Sequence, residues 1–463
     1  MPEPTPQPRH GEGAVRIAGG QGFYGDTPAA IADLLTEQPD YVCLEALAEL
    51  TLAILAKDRN RDETLGWTRD LPLYLMQLLP AVLAGRAGGH RTKVITNAGG
   101  INPRGALSYL KASARKLGLT GFTVAVVLGD DLRGRPELIP ASFPPAEELQ
   151  FANAYLGVRG IVEALQQDAD VVLTGRVADA ALFLAPLVHE HGWSLTDPAG
   201  IDRLAAGTVV GHLLECSGQA TGGNHAGEWW TVPEPWRFGF PLADVTADGS
   251  ATIFKPAVAG GRVDFDTVRQ QLLYEVGDPT AYLTPDVVVD MTSVRLTDLG
   301  ADRVRVTGTI GAPPSGRYKA VGASKDGYAA DISLAFGWPD APAKARAAAD
   351  IARKRIAEAG IDLQGWHVEL FGVDALHGPA ARAADPDPDP AEVILRMAWK
   401  TADGEACAEI PRHIIPLGLS APPPGFTPAN RARPKPSGLL AIHTDLIDRG
   451  PVDDGLRVIV EAL

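Results

Sequence analysis

One pattern recurs through the first half of the chain and limits what it can fold into: a short β-branched run, a glycine-rich turn, then a stretch with helical spacing. VRI (15–17) leads into AGGQGFYGDTP and AAIADLL, with Thr27 placed to cap a helix and Pro28 at its first position. VIT (94–96) leads into NAGGINP and RGALSYLKASARKLGL, and TVAVVL (123–128) ends in GDD. DVVL (170–173) ends in TGRVAD before ALFLAPLVHEHGW. Continuous apolar strands alternating with amphipathic helices predict a parallel sheet covered on both faces. The fold class expected is therefore α/β: an N-terminal parallel layered sheet with helices on both faces, over 14–285, followed by an α+β C-terminal region, 286–463.

The second region reads differently. VVVDMTSVRL and RVRVTGTI are β-rich, SKDGYAADISLAFGW predicts a strand pair around a turn, and APAKARAAADIARKRIAEA predicts an amphipathic helix. HVELFGV and AEVILRMAWK read as strands, residues 438–462 add two more, and AADPDPDP (383–390) predicts an exposed loop. Residues 1–13, Pro-rich and polar, predict a flexible tail without the apolar stretch of a secretory signal.

Charge and cysteine content narrow the function. Asp plus Glu outnumber Lys plus Arg by 57 to 42, a net charge of −15. With no long basic run, this excludes duplex nucleic acid and an anionic membrane surface as expected partners. No stretch reaches the ~18 apolar residues of a membrane span. Cys43, Cys216 and Cys407 lie far apart and predict neither a disulfide framework nor a metal site, so a reducing cytoplasm is the expected compartment. Homo-oligomerisation is left open by the charge.

In an open parallel sheet, ligands bind beyond the carboxyl ends of the strands. The turns expected there supply the candidate binding residues: Gln21, Gly22 and Asp26; Asn97, Gly99, Gly100 and Asn102; Thr174, Gly175, Arg176 and Asp179. A further segment, LECSGQATGGNH, adds Thr221, Gly223 and Asn224. Glycine turns before helices offer backbone N–H groups to an anion, though each is equally a tight strand-to-helix turn. Arg176 has the planar fork that suits a carboxylate or phosphate, or it pairs with Asp179 to hold a helix start. The asparagines bind a carbonyl or close their own turns.

For acid–base chemistry the candidates are Glu45, Glu49, Asp130, Asp131 and Glu215. CLEALAELTLAILAK (43–57) predicts a helix with Glu45 and Glu49 one turn apart, and burial together would push one pKa upward. Asp130 and Asp131 follow a strand directly and either cap a turn, supply a carboxylate or hold a hard metal ion. No ligand spacing designates a metal site, no cofactor motif is evident, and a divalent metal is merely compatible. The serine-hydrolase elbow, the Walker motif and the His-Glu-x-x-His signature are all missing, and Cys216 lacks a nucleophile signature. Residues 222–256 are long, irregular and aromatic, with Trp229, Trp230, Trp236, Phe238 and Phe240, as functional loops often are.

Read together and in order, VRIAGGQGFYGDTP, YVCLEALAELTLAIL, VITNAGGINP, LTGRVADAAL, LECSGQATGGN and YEVGDPTAYLTPDVVVD resemble the acyclic terpene utilisation AtuA family over nearly the whole chain. Two positions depart from the family pattern: Tyr24, where another aromatic such as Trp is expected, and His225, where Phe often follows the asparagine. Some members carry a small C-terminal ferredoxin-like domain, before which this chain is expected to stop. The resemblance implies catabolism of a branched or isoprenoid small carboxylate or acyl-CoA. The expected activity is hydration or dehydration by carboxylate acid–base catalysis, ahead of thioester hydrolysis. The alternative is a non-catalytic binding or assembly subunit of the same pathway. In the enzyme reading the glycine turns and Arg176 hold an anionic end, Asn97, Asn102 and Asn224 hold carbonyl or hydroxyl groups, and Phe23, Tyr24 and Trp229 cover the apolar tail.

Overall fold

Five strands of the expected kind lie side by side and parallel in the computed structural model, which describes residues 13–383, 389–423, 426–429 and 434–463. They belong to the series β1 (Val15–Gln21), β2 (Tyr41–Leu44), β3 (Lys93–Thr96), β4 (Thr123–Leu128), β5 (Leu149–Ala154) and β6 (Val171–Thr174). The parallel order is β1-β2-β3-β6-β4, at the centre of a ten-stranded sheet. Alternation along each strand feeds two separate cores. Val42, Leu44, Val94 and Leu173 pack with the helices Ile31–Thr36, Leu71–Arg86 and Pro103–Leu117. Tyr41, Cys43, Ile95 and Val172 pack with Arg159–Gln166, Ala181–His191 and Ile201–Leu214. Helices thus cover both faces, the arrangement that parallel crossovers require.

Antiparallel strands extend the sheet at both sides. β7 (Leu242–Val245) pairs with β1, β8 (Ala251–Phe254) with β7, and Arg303–Thr307 and Arg295–Gly300 follow outward. On the other side Arg457–Ala462 runs antiparallel to β4. The whole is a large mixed α/β sheet.

The described residues form two compact units, one of 13–323 with Ile442–Leu463 and one of Ser324–Ala441. In the second unit, Gly365–Phe371, Glu392–Thr401 and Tyr328–Gly337 pair antiparallel. The helix Ala341–Glu358 buries Ala345, Ala348, Ala352 and Ile356 in their core. The strand pair expected within SKDGYAADISLAFGW is instead part of one strand, Arg317–Gly337. Asp-Gly signals a hairpin. Here Gly327 takes φ +75 without reversing the chain, because Tyr328 onward finds its partner in Thr401–Glu392. Most of the expected tail and residues 384–388 of the Asp-Pro loop lie outside the described residues. No helix among the described residues is long and apolar enough to cross a membrane.

A second correction bears on the site. CLEALAELTLAILAK is not one helix: Tyr41–Leu44 is β2, 45–48 is a loop, and the helix begins at Glu49. Pairing of β2 with β1 and β3 on its two sides outweighs local helix propensity. The loop N–H groups find side chains instead, Ala46 N donating to Asn97 Oδ1 and Leu47 N to Glu45 Oε1, each at 2.8 Å.

Candidate active site

Because β1, β2, β3, β4 and β6 are parallel, the turns that follow them emerge at one edge. A cavity of about 610 Å³ opens there. The turn after β1 contributes Gly22, Phe23 and Asp26, the loop after β2 contributes Glu45 and Leu47, and the segment after β6 contributes Asp179. The remaining wall is Glu215–Gln219 with Gly223 and Asn224, then Phe238, Phe240, Tyr274 and Glu275. LECSGQATGGNH reaches the rim from the end of the helix Ile201–Leu214, not from a strand. Gly22 allows this: a Cβ there would stand 2.7 Å from the Ser217 N atom, so the two segments meet backbone to backbone.

Glu45 is 5% exposed. Its Oε1 accepts from Asn97 Nδ2 and Leu47 N, both at 2.8 Å, and lies 3.5 Å from Arg176 Nη1. Oε2 takes no part in these bonds. Burial, reinforced by the charge of Asp179, pushes the Glu45 carboxyl well above its usual range despite Arg176. Glu215 is the second buried carboxyl. Its Oε1 lies 2.9 Å from His212 Nδ1, while Oε2 has no hydrogen-bond partner. Burial pushes it up to about 7, opposed by His212 and assisted by Asp179. Asp179 therefore acts on both carboxyls, which places one charge within electrostatic reach of each. The same acidic surroundings, after burial, push the Cys216 thiol up, away from a thiolate nucleophile.

Arg176 is turned inward. It is 2% exposed, donates from Nη1 to Leu47 O at 2.9 Å and pairs with Asp179 Oδ1 at 2.8 Å. Its guanidinium lies 3.9 Å from the centre of the Tyr155 ring. It holds the loop after β2 against the segment after β6, and it is not among the lining residues. The lining contains five acidic side chains, Asp26, Glu45, Asp179, Glu215 and Glu275, and no Lys or Arg.

Other candidates stand behind this wall. Gln21 donates to Asp70 and Phe23 O, while Asp26, on the wall itself, accepts from Gly22 N. Gly100 N closes a turn onto Asn97 O, Gly99 abuts Thr174 O, and Thr174 Oγ1 donates to Gly175 O. Thr221 Oγ1 donates to Gly218 O and Gly239 O. Asp130 is buried, accepts from Arg176 N and Asn153 Nδ2, and is pushed up to about 7 by burial. It supports the segment that carries Arg176 without lining the cavity. Asp131 is paired with Arg133. Asn102 caps the helix Pro103–Leu117 through Gly105 N and lines a different groove. Glu49 stands apart from Glu45. Although burial pushes it up, hydrogen bonds from Lys319 and Tyr155 hold it at about 2. Of the expected aromatic cover only Phe23 lines the cavity. Trp229 is 65% exposed, and Tyr24 reaches the Arg69 backbone. Among the described residues no group of three or more His, Cys, Asp or Glu side chains is arranged to hold a metal.

His212, Tyr274 and Glu275 were not legible as site residues. His212 sits inside a helix three residues before Glu215, and that i,i+3 spacing is the sequence signal for their pairing.

The family model for the acyclic terpene utilisation protein AtuA matches residues 15–457 of the 463. The chain belongs to this family. The match takes in the antiparallel strands beyond β1 and every segment that lines the cavity, stops at the first residue of the strand Arg457–Ala462, and ties the AtuA family to acyclic terpene utilisation, a catabolic role. No curated relative and no solved structure matches the chain.

Proposed function

We propose that this AtuA-family protein is an acid–base enzyme, a hydratase or dehydratase of a branched, isoprenoid-type carboxylate or acyl thioester. The observation that carries the reading is the convergence of Glu45 and Glu215 in one cavity, both buried and both with raised pKa. Such pairs are typical of sites that move protons. Glu45, held protonated, acts as the acid at Oε2. Glu215, poised near neutrality, acts as the base at its unpartnered Oε2. In dehydration Glu215 takes the proton from the carbon beside the carbonyl, the double bond forms, and the hydroxyl leaves as water with the proton of Glu45. Hydration is the reverse.

Phe23, Leu47, Phe238 and Phe240 supply apolar walls for a hydrocarbon chain. Asn224, whose amide makes only a 3.5 Å contact with Gln219, is free to orient a hydroxyl or carbonyl. A lining rich in carboxylates repels a negative group, so the anionic end of the substrate stays at the mouth. Arg176 organises the site and does not bind that end.

The test is solvent exchange. Branched 3-hydroxyacyl and 2-enoyl thioesters and their free acids are incubated with the protein in ¹⁸O-labelled and deuterated water. Label is expected at the hydroxyl and at the carbon beside the carbonyl, and is lost in Glu45→Gln and Glu215→Gln. A wild-type protein that exchanges neither label with any of them defeats the reading and favours a binding or assembly subunit.

A further inference from the structure

A second concavity, about 700 Å³, lies between segment 63–72 and the start of the helix Pro103–Leu117. Its chemistry is the opposite of the acidic cavity. Trp67 and Tyr109 form an aromatic pair with ring centres 4.7 Å apart, and Arg69 and Arg104 flank it. Tyr109 is 43% exposed, so it presents a ring face or edge to a ligand. Arg104 is exposed and has no ion-pair partner among the described residues. Arg69 is shared with Asp58 at 2.5 Å but keeps half of its side chain in solvent. Glu63 is the one carboxylate in the lining. The helix end itself is already capped by Asn102, so the positive charge comes from the arginines.

The groove is built rather than incidental. Trp67 Nε1 donates to Thr64 O, Asn102 Nδ2 donates to Leu65 O, and Ile101 N donates to Gly66 O. These bonds fix the aromatic floor before any ligand arrives, which lowers the ordering cost of binding.

We propose that this groove binds the planar, phosphorylated end of a nucleotide. A base stacks on Tyr109, whose ring the buried Trp67 backs, and its phosphate meets Arg104 and Arg69. The volume suits a ligand of that size. The groove shares no lining residue with the acidic cavity; the link between them runs through Asp70, next to Arg69, which accepts from Gln21 Nε2 and Gly25 N on either side of the cavity-lining Phe23. The binding step does not depend on the reaction proposed for the cavity.

Calorimetric titration with ADP tests it without any turnover. ADP is expected to bind, with adenosine and inorganic phosphate each weaker. Arg104→Glu should weaken ADP by about tenfold or more, and Tyr109→Ala by about fivefold or more. Glu215→Gln, in the cavity, should leave ADP affinity unchanged. Coenzyme A binding more tightly than ADP assigns a nucleotide-tailed thioester, and equal affinities assign a free nucleotide; either keeps the site. Absence of ADP binding, ADP affinity unaltered in both groove variants, or a loss in Glu215→Gln overturns the assignment.

Discussion

Glu45 and Glu215 carry the acid–base chemistry proposed here, and each can be tested by one atom. In Glu45→Gln the amide oxygen still accepts from Asn97 Nδ2 and Leu47 N, so the loop after β2 keeps its bonds. Turnover is expected to fall by about 10²–10⁴-fold while the denaturant midpoint stays near that of the wild type; full activity would remove Glu45 from the mechanism. Glu215 sets the pH profile. With its pKa raised from 4.5 to about 7, the base form accumulates as pH rises through about 7. The dehydration rate kcat/KM is expected to climb through that value and the climb to vanish in Glu215→Gln. The sign for stability is opposite. The folded state holds this proton more tightly than the unfolded chain, so the Glu215 contribution to stability declines as pH rises from about 4.5 through about 7. Urea unfolding at pH 5 and pH 8 should show the wild type losing stability relative to Glu215→Gln. At this scale the residue types were readable but their environments were not. Glu49 has the same side chain as Glu45, yet Lys319, 270 positions away, together with Tyr155 holds its pKa at about 2.

The strand-end turns hold one another in place. Gly99 shows how closely: a Cβ there would stand 2.4 Å from Thr174 O and 2.9 Å from the Pro103 side chain. Gly99→Ala is expected to cost about 1–3 kcal/mol, read as a lower midpoint in urea with an unchanged m-value. Arg176 is the electrostatic pin. Arg176→Met leaves the partly exposed Asp179 without its cation and Leu47 O without its donor, and is expected to cost about 1–3 kcal/mol; a midpoint equal to the wild type would show that the pair is dispensable. These turns were legible because Gly, Asn and Asp gather wherever the backbone turns tightly after a strand. The length of the elements beside them was not. The segment 43–48 and the strand Arg317–Gly337 take their form from pairing partners distant in the chain.

The whole first unit depends on its last strand. Arg457–Ala462 covers the outer edge of β4, and Glu461 pairs with Lys111. Ending the chain at Leu456 uncovers the backbone groups of Thr123–Leu128, an edge open to pairing with other chains. Light scattering should then report aggregation; a dispersed, cooperatively unfolding product would show the strand to be unnecessary. The sequence by itself determined the layered α/β architecture and the glycine turns. These follow from local periodicity and residue chemistry, which neighbours along the chain already express. Which carboxyls face each other, which arginine turns inward and where His212 lies were decided only in the tertiary structure. Burial and charge at a side chain come from residues far apart in sequence, and no local pattern records them.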